Sequence, residues 1–297
     1  MVYGTCALCH ENAPIKKSHI IPKFAVEYLK RTSATGYIRQ AVNPNLRKQD
    51  IERTRLLCSR CESKLSLWEK RFSESLFVPI VEGDWRDLQY GEWLLRFAVS
   101  LAWRLVAASS PEARRYNPVL APRVDEACET WAAFLRDETR DAGQYEHHIS
   151  MFNLITDASF DIPPGFQWYL MRTVDYTLVW GDTRVLTYVK LPGMAFWSAV
   201  HPPHVKQWDN TQILDKGRIA LPQAADTNVL QFLLDRAAIY QASLASLSDR
   251  QRSAIGRAVL ADPGRAAASR SVETIAADRA LLQRQSSKKR SIERPDP

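Results

Sequence analysis

Four of the five cysteines form two Cys-x-x-Cys pairs, and their spacing is typical of a metal site. The first pair is Cys6 and Cys9, the second is Cys58 and Cys61, and Cys128 stands alone in a segment with helical periodicity. Each pair can present two thiolates to one ion, which suits the tetrahedral geometry of zinc. We predict a structural Zn²⁺ site at the two pairs and place Cys128 in the core. A redox Cys-x-x-Cys, or two unrelated buried pairs, is the alternative.

The segment SHIIP, residues 18–22, lies between the two cysteine pairs and contains a candidate catalytic histidine. His19 could act as a general base, bind a metal, or be an ordinary polar residue beside a turn. In the last case Ser18 would cap a helix that begins near Pro22. Glu62 directly follows the second cysteine pair, at the start of a predicted helix. The helix dipole alone also favours an acidic residue there.

Phosphodiester hydrolysis requires a base that activates water and a divalent cation that stabilises negative charge on the phosphate. His19 and Glu62 could supply the base and a cation ligand if one zinc site draws the two cysteine pairs together. Glu69 lies two helical turns beyond Glu62 on the same face and is a further candidate.

Positive charge is concentrated at the two ends of the chain. The net charge is +7; residues 1–80 hold 14 Lys/Arg and 7 Asp/Glu, residues 284–297 hold 5 and 2, and residues 81–283 hold 21 and 24. Such basic segments suggest an anionic partner, and we predict nucleic acid. Phosphate contacts are expected from Lys16, Lys17, Arg60 and Lys64. A solvated basic surface without a partner is the alternative.

The sequence gives no sign of membrane insertion or secretion. Its longest apolar stretch, residues 97–108, contains Arg104 and is shorter than the roughly 20 residues that a spanning helix needs. The first residues lack the charged region and apolar core of a secretory signal. We therefore expect a cytoplasmic protein with reduced thiols and no membrane partner, and the oligomeric state stays open.

Hydrophobic periodicity predicts an α+β fold with a boundary near residue 80. Residues 1–80 are expected to form the zinc domain, residues 81–283 a mixed domain with an antiparallel β-meander, and residues 284–297 a basic disordered tail. Helices are predicted over residues 23–31, from the second cysteine pair onward, and over 88–108, 124–136, 228–241 and 249–260. Strands are predicted over residues 36–43, 148–156, 166–173, 176–180 and 184–190. His147, His148, His201 and His204 lack useful metal spacing and are interpreted as surface-loop residues.

The motif order Cys6-x-x-Cys9, Ser18-His19-Ile20-Ile21-Pro22 and Leu57-Cys58-x-x-Cys61-Glu62 resembles the zinc-bearing branch of the HNH nuclease family. The resemblance covers about residues 5–77. It implies a treble-clef (ββα-metal) domain, with one cysteine pair on a knuckle and the other at the start of a helix. It also implies that the histidine between the pairs is the general base of an endonuclease.

The resemblance assigns roles to single residues. His19 corresponds to the general base, and the four paired cysteines correspond to the zinc ligands. The sequence departs from the family at two positions: Ser18 stands where the family has a metal-binding aspartate, and Glu62 stands where it has a last histidine. A carboxylate suits Mg²⁺ or Mn²⁺, so Glu62 could still bind the catalytic ion. Asn45 is followed by leucine as in the motif, but it lies farther from Cys58 than the family pattern expects.

Three functional hypotheses follow. The first is a divergent HNH-like endonuclease, with DNA favoured over RNA by analogy with the family. The second is a non-catalytic zinc module that binds nucleic acid or a protein partner. The third is a structural or regulatory protein in which zinc stabilises a domain too small to fold by its hydrophobic core alone.

Overall fold

The computed structural model describes residues 2–39, 43–49, 51, 53–86, 88–158 and 160–292, with side chains up to residue 288. The chain divides into two compact units, each assembled from separate segments. Unit 1 comprises Met1–Phe24, Glu52–Met151 and Val174–Asp226, and unit 2 comprises Ala25–Ile51, Phe152–Thr173 and Thr227–Pro297. The boundary expected near residue 80 lies inside the second segment of unit 1. Whether residues 1–80 fold by themselves stays a prediction.

The fold is mixed α+β, as expected, and its sheets are antiparallel. The strands are β1 Tyr3–Thr5, β2 Asn12–His19, β3 Ile38–Arg39, β4 Arg47–Lys48, β5 Arg53–Cys58, β6 Gln89–Tyr90, β7 His147–Met151, β8 Asp175–Trp180, β9 Val185–Leu191, β10 Met194–His201 and β11 Gly217–Arg218. The helices are α1 Lys23–Arg31, α2 Ser59–Phe72, α3 Val78–Glu82, α4 Glu92–Ala108, α5 Pro111–Arg114, α6 Ala121–Leu135, α7 Phe166–Arg172, α8 Thr227–Ala245, α9 Asp249–Ala261, α10 Pro263–Ala267 and α11 Arg270–Ile292. A π-helical turn, Ser73–Phe77, joins α2 to α3.

The first sheet of unit 1 has the strand order β1-β2-β5. Strands β2 and β5 form an antiparallel ribbon in which Ile15 faces Cys58, and the register shifts by a bulge between Lys16 and Lys17. Helix α2 begins at Ser59, directly after the last residue of β5. The ribbon and the helix are therefore joined without a loop, which fixes the start of the helix at the end of the sheet.

An aromatic cluster forms the core beneath α2 and α4. Phe72 stacks on Phe97 with ring centroids 4.1 Å apart and meets the edge of Phe196 at 5.5 Å. Phe24 packs on Phe77 at 4.9 Å. Burying large rings removes much apolar surface from water, and offset or edge-on contacts add to that gain. The apolar face that the sequence predicts for α2 ends in this cluster, since Phe72 is its last residue.

The second sheet of unit 1 has the strand order β7-β10-β9-β8, so β8, β9 and β10 form an antiparallel meander, in which β8 and β9 correspond to the strands predicted over residues 176–180 and 184–190. Strand β9 is buried along its whole length, which explains its continuous run of apolar residues. Gly193 has a φ of 74° in the tight turn between β9 and β10, a backbone conformation that favours glycine. Strand β10 was not predicted, although its sequence is rich in apolar residues.

One expected strand is a helix. Residues 166–173 are predicted as a strand because the segment is rich in aromatic and apolar residues and follows a Pro-Pro-Gly turn, but Phe166–Arg172 is α7 in unit 2. Gly165, with a φ of 78°, precedes the helix, and its carbonyl accepts the amide of Tyr169. The buried Arg172 side chain donates to the Leu29 carbonyl at 2.9 Å, near the end of α1. Short apolar runs fit either structure, and tertiary contacts decide between them.

The basic segment from residue 284 onward also differs from expectation. Helix α11 continues to Ile292, and residues 293–297 lie outside the described residues. Arg284 donates to the Thr156 carbonyl at 2.8 Å, and Lys288 pairs with Asp157 at 2.5 Å. These contacts within unit 2 explain why a polar, charged segment is helical. No helix in the described part of the chain has the length and apolar character that crossing a membrane requires.

Candidate functional site

The four paired cysteines converge, as the sequence predicted. Cys6 and Cys9 lie in the turn between β1 and β2, Cys58 ends β5, and Cys61 lies in the first turn of α2. Their sulfur atoms all lie within 4.8 Å of one another, and all five cysteines of the chain are free thiols. Among the described residues, this is the only group of three or more side chains suited to hold a metal ion.

The knuckle, residues 6–10, is shaped by main-chain hydrogen bonds. The amide of Cys6 donates to the Glu11 carbonyl, and the amide of His10 donates to the Cys6 carbonyl, both at 2.9 Å. His10 has a φ of 60°, the left-handed conformation that closes the turn. The amide of Cys58 donates to Cys6 Sγ at 3.3 Å. The two cysteine pairs are therefore held together by the backbone as well as by any bound ion.

The geometry of the cluster fits a metal ion such as zinc. Zinc–sulfur bonds of about 2.3 Å in a tetrahedron place neighbouring sulfurs about 3.8 Å apart. Cys9 Sγ and Cys58 Sγ are separated by 3.8 Å. Burial, followed by hydrogen bonds with Cys9 and Cys58, raises the pKa of the Cys61 thiol. A bound cation would reverse this preference, because it stabilises the thiolate, and metal binding should release protons.

Arginine side chains flank the knuckle. Arg136 Nη1 donates to the Leu8 carbonyl at 3.0 Å, and Arg60 Nη2 pairs with Glu11 Oε1 at 2.7 Å. A hydrogen bond with Glu11, and to a smaller extent one with Cys9, raises the pKa of the Arg60 guanidinium. Four thiolates around one Zn²⁺ carry a net charge of about −2, so neighbouring guanidinium groups suit such a site.

Ser18 and Glu62 form a direct contact between the end of β2 and the start of α2. Ser18 Oγ donates to Glu62 Oε2 at 2.6 Å, although the two residues are 44 positions apart. Ser18 is only 1% exposed. The strand end that carries His19 therefore lies against the first turn of α2. The Ser18 hydroxyl is thereby bonded to a carboxylate of the helix start.

His19 lies beside Ser18 but forms a different contact. Its Nε2 accepts a hydrogen bond from Arg53 Nε at 2.9 Å, across the ribbon. A neutral imidazole that accepts at Nε2 carries its proton on Nδ1, so this contact selects one tautomer. Nε2 is then the atom with the lone pair that a general base would use.

Glu69, the further acidic candidate on α2, is bound by another group. Its Oε1 lies 2.5 Å from Nη2 of Arg104, whose side chain is 3% exposed. The Glu69 carboxylate therefore neutralises a buried guanidinium from α4. We assign it to the packing of α2 on α4.

The four expected phosphate-binding residues differ in their surroundings. Lys16 and Lys17 are exposed on β2, whereas Arg60 pairs with Glu11, and Lys64 Nζ lies 2.6 Å from Asp137 Oδ2. Two exposed arginines outside the predicted phosphate-binding set, Arg53 and Arg55, lie on β5 opposite β2. Their alternation in Arg-Thr-Arg just before Leu56 was the available signal, because alternate residues of a strand share one face.

The histidine pair on β7 was wrongly interpreted as a surface-loop pair. His147 and His148 are 1% and 2% exposed. His147 Nδ1 is hydrogen-bonded to Ser198 Oγ at 2.7 Å, and His148 Nδ1 to Thr211 Oγ1 at 2.9 Å. Hydroxyl partners within the protein make burial of the two rings tolerable, and the sequence did not reveal those partners.

The chain was compared with protein-family models, with curated proteins and with solved structures, and none of them matches it.

Proposed function

We propose that this chain is a divergent HNH-type endonuclease that hydrolyses phosphodiester bonds of nucleic acid, DNA in preference to RNA, with a divalent metal ion. The observation that supports this most is the 2.6 Å hydrogen bond from Ser18 Oγ to Glu62 Oε2. It joins the strand end that carries His19 to the helix start that carries Glu62. Base and metal-binding carboxylate are then carried by adjoining segments, as the family resemblance implies, although the His19 side chain lies on the strand face opposite to that of Ser18.

In this proposal the cysteine cluster binds structural zinc in a treble-clef domain. The support is the order of its parts: a knuckle between β1 and β2, the β2–β5 ribbon, and α2 following β5 directly. A cytoplasmic location, where thiols stay reduced, suits four free cysteines. Zinc held by the four cysteines would fix the ribbon relative to α2, and no step of the proposed reaction involves it.

His19 acts as the general base at Nε2. It accepts a proton from a water molecule whose oxygen forms a bond to the phosphorus atom. The bond from phosphorus to the leaving sugar oxygen breaks, and that oxygen takes a proton from solvent. A Mg²⁺ or Mn²⁺ ion bound by Glu62 would stabilise the negative charge on the phosphate and the leaving oxygen.

The catalytic ion has few ligands from the protein. Glu62 supplies one carboxylate and Ser18 one hydroxyl, both hard oxygen donors. Mg²⁺ is commonly held by one or two carboxylates, waters and substrate phosphates. We therefore expect the ion to bind together with nucleic acid, and only weakly without it.

The test is nicking of supercoiled plasmid with Mg²⁺ or Mn²⁺ by the wild type, His19→Ala and a matched control, His204→Ala. His204 has a side chain that is 65% exposed and forms no part of the proposed site. We expect His19→Ala to lower the cleavage rate about 10² to 10⁴-fold, the usual contribution of a positioned base, with zinc content unchanged. Glu62→Gln should be partly rescued by more metal. Wild-type protein that cleaves neither DNA nor RNA, or His19→Ala at wild-type rate, would end the enzyme proposal.

One observation favours a second candidate, a non-catalytic zinc module that binds nucleic acid or a protein partner. In the free protein, His19 Nε2 accepts from Arg53 and Glu62 Oε2 accepts from Ser18. Both groups therefore already have structural partners. The nicking assay separates the two candidates, because a binding module retains nucleic acid without cleaving it.

A further inference from the structure

One face of the β2–β5 ribbon is strongly basic. Lys17 lies directly opposite Arg55, and His19 lies directly opposite Arg53. Residues that face each other across two strands point to the same side, and so do alternate residues of one strand. The ribbon face, defined here as these four residues, is therefore one continuous surface. Its two arginines and its lysine are exposed, and His19 is half-buried.

The opposite side of the same ribbon has a different character. Ser18, between Lys17 and His19, is 1% exposed and bonds to Glu62. Leu56, one residue after Arg55, is 5% exposed. The alternation of exposed basic and buried residues shows that the ribbon face points away from the core, where a large ligand could reach it.

The pairing of Lys17 with Arg55 is unfavourable in the free protein. Like charges directly opposite each other in a sheet are destabilising. Arg55 Nη1 donates to the Ile15 carbonyl at 3.2 Å, a neutral acceptor that leaves its charge in place. An anion on this surface would remove the repulsion, so the ribbon face has the charge pattern of an anion-binding site.

We propose that the ribbon face binds the phosphodiester backbone of nucleic acid, and that Arg53 moves from His19 Nε2 to a phosphate oxygen when it does so. The inference rests on the proposed function for the role of His19, and it adds Arg53 and Arg55 to the binding residues. Arg53 acts as a positioning residue: it holds His19 in the tautomer with Nε2 free of a proton, and on binding it exposes that atom.

The exchange is favourable because the two acceptors differ in charge. Hydrogen bonds from guanidinium to a phosphate oxygen join opposite charges and are about twice as strong as those to neutral acceptors. Arginine also offers a planar set of donors that matches two phosphate oxygens. A backbone phosphate beside Arg53 therefore competes well with the imidazole, and this coupling ties access to His19 to the presence of substrate.

The test measures binding separately from cleavage. Affinity for a 20-nucleotide single strand and for its duplex is measured by fluorescence anisotropy without added divalent ions, for wild type, Arg53→Gln, Arg55→Gln and the matched control Arg86→Gln. Arg86 has a side chain that is 90% exposed and lies outside the ribbon. Each ribbon variant should bind about five- to tenfold more weakly and lower the salt slope by about 1, whereas Arg86→Gln should change affinity less than twofold.

The exchange itself is followed by ¹⁵N NMR of the His19 ring at pH 8. Oligonucleotide should shift the Nε2 signal in wild type, as the Arg53 donor leaves, and should leave it nearly unchanged in Arg53→Gln. Arg53→Lys keeps the charge but not the guanidinium Nε donor, so it should retain most of the affinity and show the released Nε2 signal before ligand is added.

Several outcomes would overturn the inference. They are ribbon variants that bind like Arg86→Gln, an Nε2 signal that does not move while oligonucleotide is bound, and equally tight binding of polyglutamate of the same charge. The proposed function can fail separately: ribbon variants that lose affinity in a protein without cleavage activity leave the inference standing. Conversely, cleavage that depends on His19 but not on the ribbon arginines removes the inference and keeps the enzyme.

Discussion

Cys58 and Cys128 are both buried, yet only Cys58 has sulfur neighbours. Burial raises the pKa of Cys128 to about 12, as it raises that of Cys61, but Cys128 does not belong to the group of described side chains that could share a metal ion. Cys58→Ser removes one of four ligands and should release zinc, because the hydroxyl of serine is a weak zinc ligand. Elemental analysis should find less than half of the zinc of the wild type, and the protein should melt at a lower temperature.

The matched control for this prediction is Cys128→Ser. It alters a buried cysteine by the same single atom, and we expect it to keep one zinc per chain. Equal zinc in both variants, or no zinc in wild type purified without chelator, would contradict the assignment of the cluster.

The buried histidines of β7 predict a dependence of stability on pH. Burial lowers the pKa of His147 to about 3 and that of His148 to about 4, the latter partly opposed by Glu146. In the unfolded chain both histidines have a pKa of about 6.5. Between about pH 6.5 and pH 4 the unfolded chain therefore binds protons that the folded chain excludes. The free energy of unfolding should fall as pH falls, by about 1.4 kcal/mol per pH unit for each histidine.

Urea titrations at pH 7.5, 6 and 5 measure this slope. His148→Gln keeps a polar group but cannot titrate, so it should reduce the slope of unfolding free energy against pH by the contribution of one histidine, about 1.4 kcal/mol per pH unit. An unchanged slope in His148→Gln would show that other groups cause the acid sensitivity.

At the level of elements, α2 packs on α4 through an ion pair as well as through aromatic rings. Arg104 is 2% exposed, and its Nε has no hydrogen-bond partner among the described residues. Its buried positive charge is compensated by the carboxylate of Glu69, whose Oε1 lies 2.5 Å from Arg104 Nη2. Glu69→Gln leaves the guanidinium buried without its carboxylate and should destabilise the protein by about 3 kcal/mol.

Chemical denaturation of Glu69→Gln beside Glu74→Gln tests this. Glu74 has a side chain that is 64% exposed and lies 4.0 Å from Lys70, so its loss should change stability by less than about 0.5 kcal/mol. Equal effects of the two substitutions would mean that the buried pair adds nothing beyond the loss of surface charge.

Sequence patterns predicted those helices whose structure is determined by residues within the helix itself. Helix α1 has the predicted bounds, and α2 begins at the second cysteine pair as predicted, because apolar spacing and the cysteines lie within those segments. Helix α7 was missed because its short apolar run fits a strand equally well. The burial of His147 was missed because it depends on Ser198, a residue of another strand.

The candidate site likewise has features that the sequence predicts and features that depend on the pairing of strands. Convergence of the cysteines follows from ligand chemistry, which requires both pairs at one ion. The contacts of Ser18 with Glu62 and of Arg53 with His19 depend on the register of β2 against β5. A shift of one residue would reverse the faces of the strand. Composition and spacing do not specify that register, so Arg53 could not be assigned to His19 from the sequence.

At the scale of the whole molecule, contacts between the segments of unit 1 decide whether residues 1–80 can fold alone. Phe72 packs on Phe97 and Phe196, both beyond residue 80. A fragment of residues 1–80 should therefore bind zinc and form the knuckle, but leave Phe72 without the rings of Phe97 and Phe196 that pack on it. We expect it to bind the dye ANS and to show weak near-UV circular dichroism, as a loosely packed state does.

The control is the full chain under the same conditions with zinc. Methyl and aromatic NMR signals of the fragment that overlay on those of the full chain would contradict this prediction and establish an independent domain of residues 1–80.

The order of segments along the chain also sets the order in which the units can mature during translation. Unit 1 has its last segment complete at Asp226, whereas the third segment of unit 2 begins only at Thr227. As the chain leaves the ribosome from its N-terminus, unit 1 can close first. The two early segments of unit 2, Ala25–Ile51 and Phe152–Thr173, must wait for helices α8 to α11. Slow elongation beyond residue 226 would therefore prolong a state in which unit 1 is complete and the two early segments of unit 2 lack the helices that they fold with.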